Sequence, residues 1–406
     1  QYGFQSYPTK IEDLNIEKLS IIQKSFPKLE LSFADHSSYL DPLSKIIPIF
    51  LNLKKINYLE KHICVSRKKS KYDYQSALEL NEFKEMISNV ENFDKLKNYK
   101  KNNINETKYL KNTIQNPVIK KDLKKGSLLS YKDIDFKRTN EKNSNILDIQ
   151  KYLKKPLMLS NDKKKDKVLL KSDLSKPKIG IIIAGRVKSS RLKRKALLPI
   201  NKKPSIYHCL KSCAQSKDVD KVVLATSNLS EDKPLKKFNI NKKVSVFTGH
   251  PEDVIERYLG AAKKFKLDVI VRGTADCPYI SHEIIRYLLN SHFNNSSDFT
   301  YAKNAAVGTS VEIYNTETLK KIKKKMKNTS YSEYMTWYVM NNKKYFKINE
   351  VNLPKNLSRN YRICLDYKED LIMLNALFEK LTKLKLNLNL KNIFLVLDRY
   401  KNISAL

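Results

Sequence analysis

The chain has 406 residues, with 79 lysines and arginines against 42 aspartates and glutamates, a formal net charge of +37. That length exceeds what one hydrophobic core usually organises, so two or three domains are expected, and 41% hydrophobic residues exclude a wholly disordered chain. No apolar run approaches the roughly 18 residues of a membrane span, and five cysteines without CxxC or metal-type spacing exclude a disulfide scaffold and fit a reducing cytoplasm.

The lysines are spread through every region beside abundant asparagine, isoleucine and tyrosine. Such a charge attracts polyanions in a salt-sensitive way, so nonspecific polyanion binding stays open. No zinc-finger spacing, RRM signature or basic zipper accompanies it, and no specific nucleic-acid partner is expected. The chain opens at Gln1 inside an extended run, with neither an initiator Met nor a signal peptide, which predicts a preceding segment.

From 1 to about 105, short extended runs (YGFQSYP, LELSFAD, INYLEKHICV) alternate with helical periodicity in IEKLSIIQKSF and DPLSKIIPIFLNL. This alternation predicts parallel β/α units, too few to close a barrel of eight. From 106 to 174 short β-rich pieces lie between basic turns, and DLKKGSLLSYKDI is echoed by DKKKDKVLLKSDL, a loose internal repeat or a chance likeness in lysine-rich sequence. After the SKPK linker, from 178 onward, the apolar strand IGIIIAG opens an α/β domain with further strands at KVVLATS, VSVFTG, DVIVRGTAD, DFTYAK and YRICLDY. A doubly wound, mostly parallel sheet is expected, with ligands beyond the carboxyl ends of its strands.

Three features lie at those ends. The loop AGRVKSSRLKRKALLPI gathers Arg186, Lys188, Ser189, Arg191, Arg194 and Lys195, planar paired donors and compact charges suited to a polyphosphate, or else a solvated basic turn. Asp276 follows the strand DVIVR, and Asp366 ends YRICLD just before a helix begun by Glu369 and Asp370. Either aspartate alone would commonly cap a helix; together, opposite a basic loop, they suit one magnesium ion shared with phosphate oxygens and water. Cys209 and Cys213, four apart on a helix, read as small buried hydrophobes.

At these residues the domain resembles the cytidylyltransferases that activate sialic-acid-type sugars, especially their spore-coat polysaccharide branch. Arg186, Ser189, Arg191, Leu192 and Lys195 match that family's first loop, and VVLATS, VFTGHPEDVIERYLGAAKKF, VRGTADCPYI and YRICLDYKEDL follow its order and spacing. The resemblance implies a Rossmann-like nucleotidyltransferase of GT-A type and attack by a sugar's anomeric hydroxyl on the α-phosphate of CTP. It assigns Arg186, Arg191 and Lys195 to the triphosphate, Ser189 and Arg272 to nucleotide binding, and Asp276 with Asp366 to Mg2+. Asp253 and Arg257 stand as contacts near the sugar or nucleotide, or as a surface salt bridge. Departures fall at Lys188 and Ala275, where glycines are usual, and at GTSVEI, where Ser310 replaces an acid two residues before Glu312; both are candidate substrate residues. EYMTWYVM keeps Glu333 and Thr336 of the family pattern while Tyr334 and Trp337 differ.

The opening segment resembles the last part of the barrel of sialic acid synthases, through QSYPTKIEDLN, SFADHSS and LEKHICVSRKKSKYDYQSALE, and the middle module resembles their SAF, or antifreeze-like, domain, with DFKRT placing Arg138 at a characteristic arginine. The likeness implies a partial TIM-type barrel in which His36 and His62 bind a divalent ion such as Mn2+, with Tyr7, Asp73 and Arg138 near the substrate. Imidazole suits such an ion, although a strand-end histidine is often only hydrogen-bonded. Ala34 and Tyr74 replace the family's serine and histidine, and the barrel's first strands do not appear. The joint expectation is a chain that condenses phosphoenolpyruvate with an amino sugar and activates the product with CMP, as a cytoplasmic homodimer. A transferase for another sugar or nucleotide, or an inactive binding module, is the alternative.

Overall fold

The structure is a computed structural model that describes residues 1–3, 6–97, 103–140, 149, 151–152, 155–326 and 335–405. Glu333 and Tyr334, singled out above, lie outside the described residues. Two compact units divide the chain, residues 1–111 and 112–406.

In the first unit β1 (Ser32–Asp35) and β2 (Tyr58–Lys61) pair in parallel, with Phe33 opposite Leu59, and Tyr2 bridges Phe33 in the same sense. The extended run INYLEKHICV breaks at His62, so that β3 (Ile63–Cys64) pairs instead with β4 (Leu78–Glu79). Helices Glu17–Ser25 and Ile47–Leu53 intervene where apolar periodicity predicts them, and helix Leu80–Lys97 follows β4. Leu14, Leu19, Phe33, Ile47 and Leu51 make a small core.

The second unit begins with five short strands, β5 (Gln115–Ile119), β6 (Leu128–Leu129), β7 (Ile134–Arg138), β8 (Leu157–Leu159) and β9 (Leu174–Ser175), paired β5–β7 and β6–β8–β9. The sequence echo is a structural repeat. Asp122 accepts from the Lys165 N–H (2.9 Å) and from Lys164 (2.7 Å), while Asp162 accepts from the Lys125 N–H (2.8 Å) and from Lys124 (2.9 Å). Asp133 and Asp173 each bind the N–H three residues back, from Ser130 and Leu170, closing equivalent turns. Reciprocal contacts of this kind are what two copies of one motif packed face to face produce.

β10 (Ile179–Ala184) then enters a seven-stranded sheet. A hairpin, β11 (Pro199–Ile200) and β12 (Lys203–Pro204), follows it, and the sheet continues with β13 (Lys221–Ser227), β14 (Val244–Gly249), β15 (Val269–Thr274), β16 (Phe299–Ala302), β17 (Glu312–Asn315) and β18 (Ile348–Val351). The order is β14-β13-β10-β15-β17-β16-β18, and only β17 runs against the others. Period two explains the two buried faces. Ile181 and Ile183 of β10 face helices Ser205–Ala214, His282–Asn294 and Lys368–Lys383, whereas Ile182 faces helix Val254–Phe265. The chain moves from β10 outward to β13 and β14, then returns to β15 on the other side. The crevice beyond β10 and β15 is therefore the topological switch point, where ligands of such sheets sit.

One expected strand is absent. YRICLDY forms a single bridge, Val307 to Arg362, and otherwise a buried loop. Its apolar residues Ile363 and Leu365 are buried in the core without a ladder, which an apolar run alone does not distinguish from a strand. Among the described residues no helix is long and apolar enough to cross a membrane.

Candidate functional site

A cavity of about 740 Å3 opens at the switch point, lined by Gly185, Arg186, Arg191, Lys195, Arg272 and Asp276 among others. Its basic loop leaves β10 and is pinned where the Val187 N–H donates to Asp232 Oδ1 at 2.6 Å. Asp232 is fully buried, and sequence reading missed it because nothing in SEDKP distinguishes it from a surface acid. Arg186 donates to the Pro251 carbonyl and to Glu252, both at 2.9 Å. Lys188, Ser189 and Ser190 line the same cavity. Arg194 adopts a left-handed conformation (φ 54°) before the turn Lys195–Leu197 and so directs Lys195 inward.

Lys195 joins the two acidic elements. Its Nζ lies 2.9 Å from Asp276 Oδ2 and 2.8 Å from Asp366 Oδ1. Asp276 leaves β15, and its carbonyl accepts the Leu365 N–H at 2.7 Å, which ties the two loops together. Asp366 also receives Arg362 at 2.7 Å and lies 3.3 Å from Arg191. Burial works against its charge, yet Lys195, Arg362 and Arg191 outweigh it and hold its carboxyl below the ordinary aspartate range. Lys195 loses solvation too, but the two carboxylates keep its ammonium above the usual lysine value. The helix-capping role weighed for Asp366 falls to Asp370, which accepts the Asp366 and Tyr367 N–H groups at 2.7 and 2.9 Å.

The acidic pair thus meets at one cationic point, the arrangement that suits a divalent ion, and Lys195 holds that point in this structure. The lysine assigned by resemblance to the triphosphate is bonded to both expected metal ligands.

Arg272 and Glu312 form a pair at 2.6 Å across β15 and β17. Burial opposes the guanidinium's charge, and Glu312 more than restores it, holding Arg272 above its ordinary value. Glu312 also accepts from Thr336 at 2.7 and 2.8 Å and from Tyr314 at 3.1 Å. Its carboxylate is committed to orienting Arg272. Ser310 bonds locally, to the Val311 carbonyl at 3.4 Å, and Trp337 is exposed. Of Asp253 and Arg257, Asp253 forms the salt bridge weighed for them, through a buried carboxylate. Asp253 is buried, caps helix Val254–Phe265 through the Glu256 N–H and pairs with Lys323, and Arg257 is 2% exposed, donating to the Pro251 carbonyl at 3.2 Å. Burial, then the neighbouring Arg186, lowers the Arg257 pKa.

The cysteines also depart from expectation. Cys209 and Cys213 are core residues as read, but Asp276, Cys277 and Cys364 bring three ligand atoms within 4.8 Å of one another. Their wide separation in sequence concealed this cluster.

In the first unit Tyr7 Oη lies 3.0 Å from His36 Nε2 and 3.4 Å from His62 Nε2, so both imidazoles converge on one point. His62 Nδ1 is 3.9 Å from Asp73, a left-handed residue (φ 52°). Lys61 and Asp35 form a buried ion pair at 3.0 Å beside them, which sequence reading did not single out. Tyr74 is exposed and Ala34 buried. Arg138 belongs to the other unit, exposed at the end of β7 opposite Gln115.

Comparison with known proteins separates the two halves. Residues 3–102 match the NeuB family. The pseudaminic acid synthase of Campylobacter jejuni is 29% identical over 132 residues, which cover 32% of this chain and 36% of that protein, so the chain spans about a third of that synthase. Spore coat polysaccharide biosynthesis protein SpsF of Bacillus subtilis is 30% identical over 205 residues, covering 49% of this chain and 85% of that protein. A solved cytidylyltransferase from Leptospira borgpetersenii superposes with a TM-score of 0.51 at 28% identity, over 56% of this chain and 97% of that one. Residues 179–396, more than half the chain, match the cytidylyltransferase family, and the protein is accordingly a member of that nucleotidyltransferase family.

Proposed function

We propose that residues 178–406 transfer a cytidylyl group from CTP to a sialic-acid-like sugar acid, with release of pyrophosphate, for surface polysaccharide synthesis. The observation that carries this reading is the meeting of Asp276 and Asp366 at one cationic point beneath the basic loop of the switch-point cavity. The sugar's anomeric oxygen bonds to the α-phosphorus as the bridge to the β-phosphate breaks, and the enzyme's part is alignment and neutralisation. Arg186 and Arg191 offer guanidinium donors to the polyphosphate and Ser189 adds a hydroxyl. Asp276 and Asp366 fit a magnesium ion, which when bound neutralises phosphate charge. With a cation held by these carboxylates, Lys195 would be free to turn from them to the phosphates. Arg272, oriented by Glu312, faces the nucleotide or sugar from the opposite wall.

Ser310 stands where the resembling family has an acid, so the identity of the sugar acid is set by experiment. The test is pyrophosphate release by the full chain with CTP, UTP, GTP or ATP against sialic, legionaminic and pseudaminic acids. Release with CTP and one of these acids supports the reading; release with another nucleotide only, or with none, overturns it.

For the first unit we propose a divalent-metal site of the synthase type at His36 and His62, with Tyr7 and Asp73 beside it, serving condensation of phosphoenolpyruvate with an amino sugar. Support comes from the convergence of both Nε2 atoms. Manganese binding that survives Asp276→Asn but is lost in His36→Gln tests it; equal binding in His36→Gln refutes it.

A further inference from the structure

We propose that Asp276, Cys277 and Cys364 form a binding site for a thiophilic divalent cation such as zinc or cadmium, at which that cation blocks the transferase. The proposal rests on the reading of Asp276 as a carboxylate the transferase needs.

Each aspartate of the site presents two faces. Outward, Asp276 Oδ2 and Asp366 Oδ1 meet Lys195. Inward, Asp276 Oδ1 accepts from the Cys277 thiol and Asp366 Oδ2 from the Cys364 thiol, each at 3.6 Å. The inner face therefore gathers sulfur and oxygen donors bridged by two thiol protons, with Arg362 also on Asp366 Oδ2 at 2.7 Å and Thr274 beside the Cys277 thiol at 3.5 Å. The three ligand atoms of Asp276, Cys277 and Cys364 lie within 4.8 Å of one another. Tetrahedral zinc, with bonds of about 2.0 Å to oxygen and about 2.3 Å to sulfur, spaces neighbouring ligands by about 3.3–3.8 Å. The Cys277–Asp276 separation already falls in that range, and the others close by about 1.3 Å at most.

The fourth position goes to Asp366 Oδ2, next to Cys364, or to water. A soft cation entering here releases two thiol protons to solvent. Charge then closes locally, because two thiolates and two carboxylates around the dication leave a deficit that Lys195, Arg362 and Arg191 offset. Magnesium does not compete on these terms, since it avoids sulfur and keeps an octahedral oxygen shell. Sulfur ligands thus lie immediately beneath the oxygen ligands proposed for magnesium, and filling the lower site takes Asp276 out of service, with Asp366 as well where it supplies the fourth ligand.

The test uses the full chain, freed of metal, titrated with cadmium in excess magnesium while the cadmium–thiolate charge-transfer absorption is followed. One equivalent should raise the band; Cys277→Ser and Cys364→Ser should each remove at least half of it, and Cys64→Ser should leave it intact. Far-ultraviolet circular dichroism checks that each variant is folded. Absence of the band, or a band that survives both substitutions in folded protein, overturns the proposal, whether or not the chain proves to be a cytidylyltransferase. Zinc should also suppress pyrophosphate release at least tenfold in a chelator-reversible way, and folded Cys364→Ser should resist it; equal zinc sensitivity would place the inhibition elsewhere and refute the site.

Discussion

Lys195 is the residue whose removal separates holding the site together from running its chemistry. Its side chain is 16% exposed, and Asp276 and Asp366 are 21% and 10% exposed, so both ion pairs are largely out of water. Removing one member of a buried pair costs about 3–5 kcal/mol, and partial solvation puts Lys195→Met near the lower figure, about 3 kcal/mol in metal-free buffer. Methionine keeps the length of the side chain but takes the shared ammonium from between the two carboxylates, while Asp366 keeps Arg362 and Arg191. Magnesium should then enter without displacing anything, and at ten times its dissociation constant it returns about 1.4 kcal/mol. Wild type, whose carboxylates already hold Lys195, should gain clearly less from magnesium alone. Urea unfolding of both proteins in chelator and in magnesium measures all four states. A loss below about 1 kcal/mol, or the same magnesium gain in both proteins, would refute the account of Lys195 as occupant of the cation position.

Gly308 sits at φ +86°, where a Cβ would lie 2.3 Å from the Ile363 carbonyl oxygen of the loop that carries Asp366. Gly308→Ala should cost about 2–4 kcal/mol in chemical denaturation and lower turnover as well, since backbone strain and collision act on the same loop; an unchanged midpoint would contradict this packing. Burial pushes His292 down from 6.5 to about 4, with Thr300 and Asn315 bonding its ring. Its depressed pKa means that the unfolded chain takes up the proton first, so stability falls as pH drops from 6.5 towards 4. Wild type should lose about 2–3 kcal/mol more than His292→Asn over that interval, and parallel pH profiles would show that the imidazole does not stay neutral. Asp366 acts at a lower pH: its depressed pKa contributes stability above the ordinary value of 3.8 that is lost as pH falls through the folded value. The stability difference between wild type and Asp366→Asn should hold steady from pH 7 to 5 and shrink only below about 4; a difference that vanishes by pH 5 would contradict the lowered pKa.

Elements with a strong local signal were legible in the sequence. IGIIIAG and KVVLATS are buried on both sheet faces, so unbroken apolar runs bounded by turns identify them. The phosphate-type loop and Asp276 follow from strand ends in a doubly wound sheet. YRICLDY reads as a strand because buried loops and buried strands share apolar composition, and only the tertiary bridge from Val307 to Arg362 distinguishes them. β17, the one strand opposed to its neighbours, was not anticipated, since GTSVEIYN carries little alternation. Pairings across long sequence distances left no local trace: Lys195 between two aspartates, Asp232 under the loop, Glu312 on Arg272, and the thiols beneath the carboxylates. In the first half, quoted motifs located His36, His62 and Tyr7, but their convergence on one point needed coordinates.

The most direct test of the central reading is pyrophosphate release by the full chain with CTP, magnesium and its best sugar acid, alongside Asp276→Asn and Asp366→Asn. Each substitution deletes a charge facing the proposed ion and, at several kcal/mol of lost stabilisation, should slow turnover by about 100-fold or more while the protein stays folded. Turnover in either folded variant within a few-fold of wild type would contradict the assignment of these two carboxylates to the reaction.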